Sequence, residues 1–219
     1  MEFTDLKRRD LLFYDIHRVG KDIQPAGHVA IVQNYGTPTP KVIHLNDSGI
    51  LLNYISEDRL ADTVFHSIRP SDPALADKAA NTVYNWLIHS AWKQKPSRSG
   101  NSTVLRTRGI YNSFALAQAS FRSSSYGRGA RSFVRHLCSD CCYYPPVEFT
   151  QFSSSFDRGA FCSGFAIAAY QTALGEQLCP THLALDARNT TPLRLKKYLD
   201  THVYWQHSGT ISIMTSLPF

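Results

Sequence analysis

Hydrophobic residues in the first third of the chain occur in short runs that are separated by polar and turn-forming residues. Runs of this length, rich in β-branched and aromatic residues and bounded by Gly, Pro or Asn, are typical of β-strands. The pattern predicts five strands, at residues 10–16, 28–33, 41–46, 49–55 and 62–70. The stretch NYGTPTP, which holds a glycine and two prolines, predicts a turn across which the second and third strands can pair.

The spacing of apolar residues becomes helical in the middle of the chain. It predicts helices over residues 72–94, 110–121, 129–138, 160–174 and 191–200. Asp72 with Pro73, and Thr191 with Pro192, are typical of helix starts. The composition of residues 95–109 predicts a loop, whereas residues 181–187 and 202–214 resemble strands or a loop-strand pair. We expect a single α+β domain over residues 1–219.

Composition narrows the classes of function. The chain has 219 residues and a net charge of +6, and this positive charge favours binding to anionic partners. Its basic residues are scattered and no nucleic-acid-binding motif accompanies them, so nucleic acid is not expected as the partner. No apolar run approaches the roughly 20 residues of a membrane-spanning helix, so stable membrane insertion is not expected. The N-terminal residues lack the pattern of a secretory signal, which predicts synthesis in the cytoplasm and export by a dedicated route.

The five cysteines are an odd number, so they cannot all form disulfides with one another. Cys138, Cys141 and Cys142 form a CSDCC cluster with the spacing of half a zinc site, but no second pair of ligands completes it. We therefore predict no metal and no cofactor, and expect a packed or redox-labile cluster.

Cys162 stands at the head of the predicted helix over residues 160–174. Free N–H groups and the dipole at a helix N-terminus stabilise a thiolate, which predicts a lowered pKa for this thiol. Ser163 and Gly164 are small enough for a substrate to approach. The alternative is that Cys162 is a small buried hydrophobic residue, as free cysteines usually are.

Two histidines on adjacent predicted strands can complete a nucleophilic site. His28 begins the second strand and His44 lies inside the third, so alternation can direct both rings to one face. His28 is then the candidate base for the Cys162 thiol, and His44 the group that orients it. The alternative is that both histidines are structural.

A resemblance supports the catalytic interpretation. The stretches DLLFYDI, GHVAIVQN, KVIHL and FCSGFAIAAY are similar to motifs of NlpC-type cell-wall peptidases. Because His28 precedes Cys162, the order resembles the circularly permuted branch of papain-like proteins, and TTPLRLKKYL resembles a Thr-Pro element of that branch. Three positions depart from the pattern: Arg9 and Ala30 replace glycines, and Phe161 replaces the acid before the cysteine.

The resemblance implies a papain-like antiparallel sheet packed against helices, with a helical and loop insertion at about residues 70–150. It implies Cys162 as nucleophile, His28 as base and His44 as orienting residue. The expected activity is cleavage of an amide in peptidoglycan stem peptides, by a toxin delivered through a secretion system and accompanied by an immunity protein. An acyltransferase, lipid hydrolase or protein deamidase of the permuted branch is an alternative, as is a non-enzymatic binding module.

Overall fold

A seven-stranded sheet organises the computed structural model, which describes residues 1–16, 24–33, 39–46, 49–55, 63–89, 105–106, 113–139 and 161–213. The strands are β1 (Leu11–Ile16), β2 (Gln24–Val32), β3 (Lys41–Asn46), β4 (Gly49–Tyr54), β5 (Thr63–Pro70), β6 (Leu105–Arg106) and β7 (Trp205–Ile213). Their order is β6-β4-β3-β2-β1-β5-β7, and every neighbouring pair is antiparallel. The predicted α+β class with an antiparallel sheet is confirmed.

The described residues include five α-helices: α1 (Pro73–His89), α2 (Ser113–Phe121), α3 (Arg128–Ser139), α4 (Cys162–His182) and α5 (Pro192–Thr201). Both predicted helix starts are confirmed, because the Asp72 carboxylate accepts the Ala74 N–H at 2.8 Å and the Thr191 hydroxyl accepts the Arg194 N–H at 3.4 Å. Among the described residues, no helix is both long enough and apolar enough to cross a membrane.

Helix α4 lies at the centre of the main core. Every residue from Cys162 to Gln171 is buried. Trp86 of α1 packs on Phe165 at a ring-centroid distance of 5.5 Å, and α1, α3 and α5 join α4 in one cluster with the sheet. A helix enclosed on all sides needs no polar face, which explains its run of apolar and small residues. Residues 73–89 and 128–139, inside the expected insertion, thus supply part of the main core.

The opposite face of the sheet carries a second, smaller core. Its members are Leu6, Leu12, Tyr14, Ala30, Val32, Val42, Ile55, Phe65 and Ile211. Because successive strand residues alternate between faces, β1 and β2 are apolar at consecutive positions and are buried on both sides. This arrangement determines the surroundings of His28, since Tyr14 and Ala30 belong to this second core.

Of the two alternatives for residues 181–187 and 202–214, the loop-strand pair is the one that forms, with β7 as its strand, and one other prediction of local structure is wrong. Residues 181–187 form the end of α4 and a turn rather than a strand. The Gln171 side-chain amide donates to the carbonyls of Leu183 and Leu185 at 3.3 and 2.7 Å, so a buried side chain satisfies the groups that a strand would pair. Within the predicted loop 95–109, Leu105–Arg106 pairs with the edge of β4 as a short strand.

Arg9 has an unusual backbone conformation immediately before β1. Its φ is +93°, a value that glycine adopts readily and that other residues rarely adopt. Its N–H donates to Val32 O and its carbonyl accepts the Tyr170 hydroxyl, both at 2.6 Å, so tertiary contacts hold it in place. Its guanidinium pairs with Asp77 at 2.8 Å. At this position, the family that the sequence resembles has glycine.

We expect Arg9→Gly to be more stable than Arg9→Ala by about 1 kcal/mol, because both variants lose the ion pair but only glycine relieves the strained φ. Urea unfolding of the two variants measures the difference directly. An alanine variant as stable as the glycine variant would contradict strain at this residue.

Candidate active site

Cys162 is the first residue of α4 and is 2% exposed. The preceding residue, Phe161, has no polar side-chain atom with which to cap the helix, so it leaves the first-turn N–H groups uncapped. Ser163 and Gly164 do not serve substrate approach as expected. The Ser163 hydroxyl donates to Thr190 O at 2.7 Å, and a Cβ on Gly164 would lie 2.6 Å from Ala187 O. Both residues instead seat the helix closely against residues 186–190.

The two predicted histidines contact one another. His28 Nε2 and His44 Nδ1 are 2.7 Å apart and share a hydrogen bond, and the rings meet edge to face with centroids 4.9 Å apart. His44 is buried at 3% exposure, whereas His28 is only partly buried. Desolvation by burial, followed by the nearby His44, holds the pKa of His28 well below its usual range. At neutral pH His28 is therefore an uncharged imidazole.

The Cys162 sulfur reaches the sheet where β2 and β3 diverge. These strands pair at Ile31–Ile43 and Val32–Val42, and this register would bring His44 opposite Ala30 and then Leu45 opposite Val29. The ladder ends before that pair. The Val29 N–H is directed instead at the Cys162 sulfur, so the thiol occupies the fork between the strands. Because Val29 follows His28, the sulfur lies beside the backbone of the candidate base. The His28 and His44 rings, however, project from the face of the second core, opposite the main core to which Cys162 belongs.

The thiol is neutral at rest, which corrects the predicted lowering of its pKa. Burial raises the pKa of Cys162 to about 11, although the N–H groups of Val29, Ser163 and Cys162 itself oppose that rise. Neither imidazole is among the groups that shift this pKa. The prediction failed because burial on all sides of the helix outweighs the helix N-terminus.

The resting thiol predicts a distinctive pH profile for alkylation. The thiolate fraction of Cys162 should rise about tenfold per pH unit until the pH approaches its pKa. The rate of carboxamidomethylation, followed by mass spectrometry of the Cys162 peptide, should therefore climb from pH 6 to pH 10 without a plateau. Alkylation of the exposed Cys138 in the same sample is the internal control that the reagent is active at each pH. A plateau below pH 7 would instead reveal a thiolate–imidazolium pair and contradict this expectation.

Other candidate tyrosines and cysteines lie away from Cys162 or outside the described residues. The sequence offers Tyr14, Tyr143 and Tyr144 as candidates for a second oxyanion donor. Tyr14 packs its ring on His28 and Phe65 in the second core. Tyr143, Tyr144, Cys141 and Cys142 lie outside the described residues. The Val29 N–H was not anticipated, because a backbone group leaves no mark in the sequence.

No family model, curated protein or solved structure matches this chain. Function must therefore be inferred from the site itself.

Proposed function

We propose that this protein is a papain-like cysteine hydrolase that cleaves an amide bond in peptidoglycan stem peptides. The observation that carries the proposal is the hydrogen bond between His28 Nε2 and His44 Nδ1. It joins β2 and β3 where the Val29 N–H of β2 faces the Cys162 sulfur. Both rings project from the face of the second core, whereas Cys162 belongs to the main core, so the proposal requires His28 Nδ1 to meet the sulfur through the fork between β2 and β3. A nucleophile, a base and a group that orients the base are the minimum set for thiol catalysis.

The first step transfers the Cys162 proton to His28 as sulfur attacks the carbonyl carbon. For this step His28 carries its proton on Nε2 and donates it in the hydrogen bond to His44 Nδ1, so the lone pair that accepts the thiol proton is on Nδ1. Since both groups are neutral at rest, proton transfer accompanies attack rather than preceding it. First-turn N–H groups of α4 stabilise the oxyanion that forms on the carbonyl oxygen.

The second half of the reaction releases the two products. Protonated His28 gives its proton to the leaving amine as the carbon–nitrogen bond breaks, and the acyl group remains on Cys162 as a thioester. Water then loses a proton to His28 and attacks the thioester, and the thiolate takes that proton back as the acid is released. The net charge of +6 favours association with an anionic polymer such as the cell wall.

Purified sacculi test the substrate. We expect the wild-type protein to release soluble muropeptides, and Cys162→Ala to release none. Cys179→Ala is the matched control, because Cys179 is a buried free cysteine in the same helix but lies near Tyr126 and Cys138 rather than in the fork. Identical muropeptide profiles for wild type and Cys162→Ala would exclude peptidoglycan as the substrate.

Acyl transfer or deamidation is the second candidate, and the burial of the nucleophile favours it. With 2% of Cys162 exposed, a small acyl group reaches the sulfur more easily than a branched polymer. This candidate predicts a covalent thioester with a lipid or glutamine-type substrate, detected by intact mass, in the absence of muropeptide release.

We further propose that the hydrolase acts in the periplasm of a target cell as a delivered effector, which requires an immunity protein in the producing cell. Cytoplasmic expression should then be tolerated, whereas fusion to a heterologous export signal should lyse the host. Exported Cys162→Ala should be harmless. Lysis by that variant would separate toxicity from the thiol chemistry.

A further inference from the structure

Four aromatic contacts connect the N-terminal segment to the candidate dyad. The row runs from Phe3 through Phe65, Tyr14 and His28 to His44. The successive centroid distances are 5.9, 4.7, 5.2 and 4.9 Å, and every interplanar angle lies between 68° and 80°. Each ring therefore meets the next edge to face, which is the arrangement that ring quadrupoles favour.

The strand register builds this row. Tyr14 lies directly opposite His28 on β2 and directly opposite Phe65 on β5, so all three side chains project from the same face of the sheet. Tyr14 and Phe65 are each 1% exposed and belong to the second core. Their positions are thus defined by close packing rather than by solvent-exposed loops.

His28 needs such a support. Its hydrogen bond to His44 holds one atom of the ring, Nε2. On its own, that hydrogen bond would leave the imidazole free to rotate about Nε2. An aromatic wall perpendicular to the ring removes that freedom, and the Tyr14 ring stands at 71° to it. The direction of Nδ1, the atom required for the thiol proton, then depends on Tyr14.

We propose that Tyr14, held in place by Phe65, is a positioning residue that fixes the plane of the His28 imidazole. This inference rests on the proposed function for its catalytic consequence, but the orientation of the ring can be measured without any substrate. The ring of Tyr14 carries the effect, so its hydroxyl group is dispensable for positioning. The contact lies on the face of the sheet opposite the main core, so it can be weakened without altering the packing of α4.

The test compares Tyr14→Leu and Phe65→Leu with Tyr14→Phe, which keeps the ring. Phe133→Leu is the matched control, because Phe133 is a buried phenylalanine of α3 in the main core. Imidazole nitrogen–proton NMR reports the tautomer of His28, and sacculus digestion reports turnover. Should Tyr14→Leu fail to fold, Phe65→Leu still tests the inference, since it leaves both Tyr14 and His28 in place.

We expect a single Nε2–H tautomer of His28 in the wild type, in Tyr14→Phe and in Phe133→Leu. Both leucine variants of the row should show mixed tautomers and turnover lower by about tenfold. A folded leucine variant with the wild-type tautomer, or an equal loss in Phe133→Leu, would overturn the inference. If the wild type releases no muropeptides, the proposed function fails, while the NMR comparison still decides the role of Tyr14.

Discussion

His28→Ala should reduce muropeptide release from sacculi by about a thousandfold, the range expected when a general base is removed. Without His28, the proposed site loses the group assigned to accept the thiol proton, and burial keeps the Cys162 thiol un-ionised at neutral pH. His44→Ala should reduce the rate less, because His44 acts by holding Nε2 of His28 rather than by taking the proton. Initial rates at saturating sacculi and matched protein concentration provide the measurement.

The double variant His28→Ala/His44→Ala gives the sharpest form of this prediction. If His44 works only through His28, the double variant is no slower than His28→Ala alone, since residues that act as a unit are not additive. His66→Ala is the control, because His66 is a strand histidine that pairs with Asp15 at 2.9 Å, away from the dyad. Additive losses in the double variant would refute the assigned division of roles.

Asp10→Asn should destabilise the fold by about 3 kcal/mol, the largest stability effect that we expect from a polar substitution. The Asp10 carboxylate is 0% exposed and accepts two hydrogen bonds from Arg69, at 2.6 and 2.7 Å. It also accepts from Ser67 and from the Lys7 N–H, so it ties the start of β1 to β5. Asparagine would leave the Arg69 guanidinium beside a neutral group. Urea unfolding with a constant m-value measures the loss.

Two further variants define the origin of that loss. Asp77→Asn removes the partner of Arg9 from an ion pair in which Asp77 is 50% exposed, and should change stability by less than about 1 kcal/mol. Asp10→Asn/Arg69→Met removes both charges and should recover part of the loss, because no unpaired cation remains. A double variant less stable than Asp10→Asn would contradict a cost that arises from unpaired charge.

The strands were predictable where the local pattern and the tertiary environment agree. β1 to β5 consist of short apolar runs between turn residues, and each forms within a residue or a few of the predicted bounds. The segment 181–187 has the same appearance, but Gln171 takes up its carbonyls and the strand does not form. The contacts that decide this segment come from a residue 12 and 14 positions earlier in the chain, beyond the reach of a local pattern.

The candidate site also has features that the local sequence pattern predicts and features that depend on tertiary contacts. Alternation along β2 and β3 was sufficient to bring His28 and His44 to one face, where they form a hydrogen bond, but this is the face opposite the main core to which Cys162 belongs. The neutrality of Cys162 was not predictable, because it depends on how completely the other helices enclose α4. Likewise, the strained φ of Arg9 is visible only with its contacts to Val32 and Tyr170 in place.

The fork between β2 and β3 bears on how a trapped complex should be prepared. Sulfur at position 162 stands where the next acceptor of the ladder would be, facing the Val29 N–H. Alanine would leave the Val29 N–H buried without an acceptor. Serine provides an acceptor oxygen at a similar position and is a far weaker nucleophile than cysteine. Cys162→Ser is thus the substitution to choose for co-crystallisation with an intact ligand, and Cys162→Ala the one to choose as a blank in rate measurements.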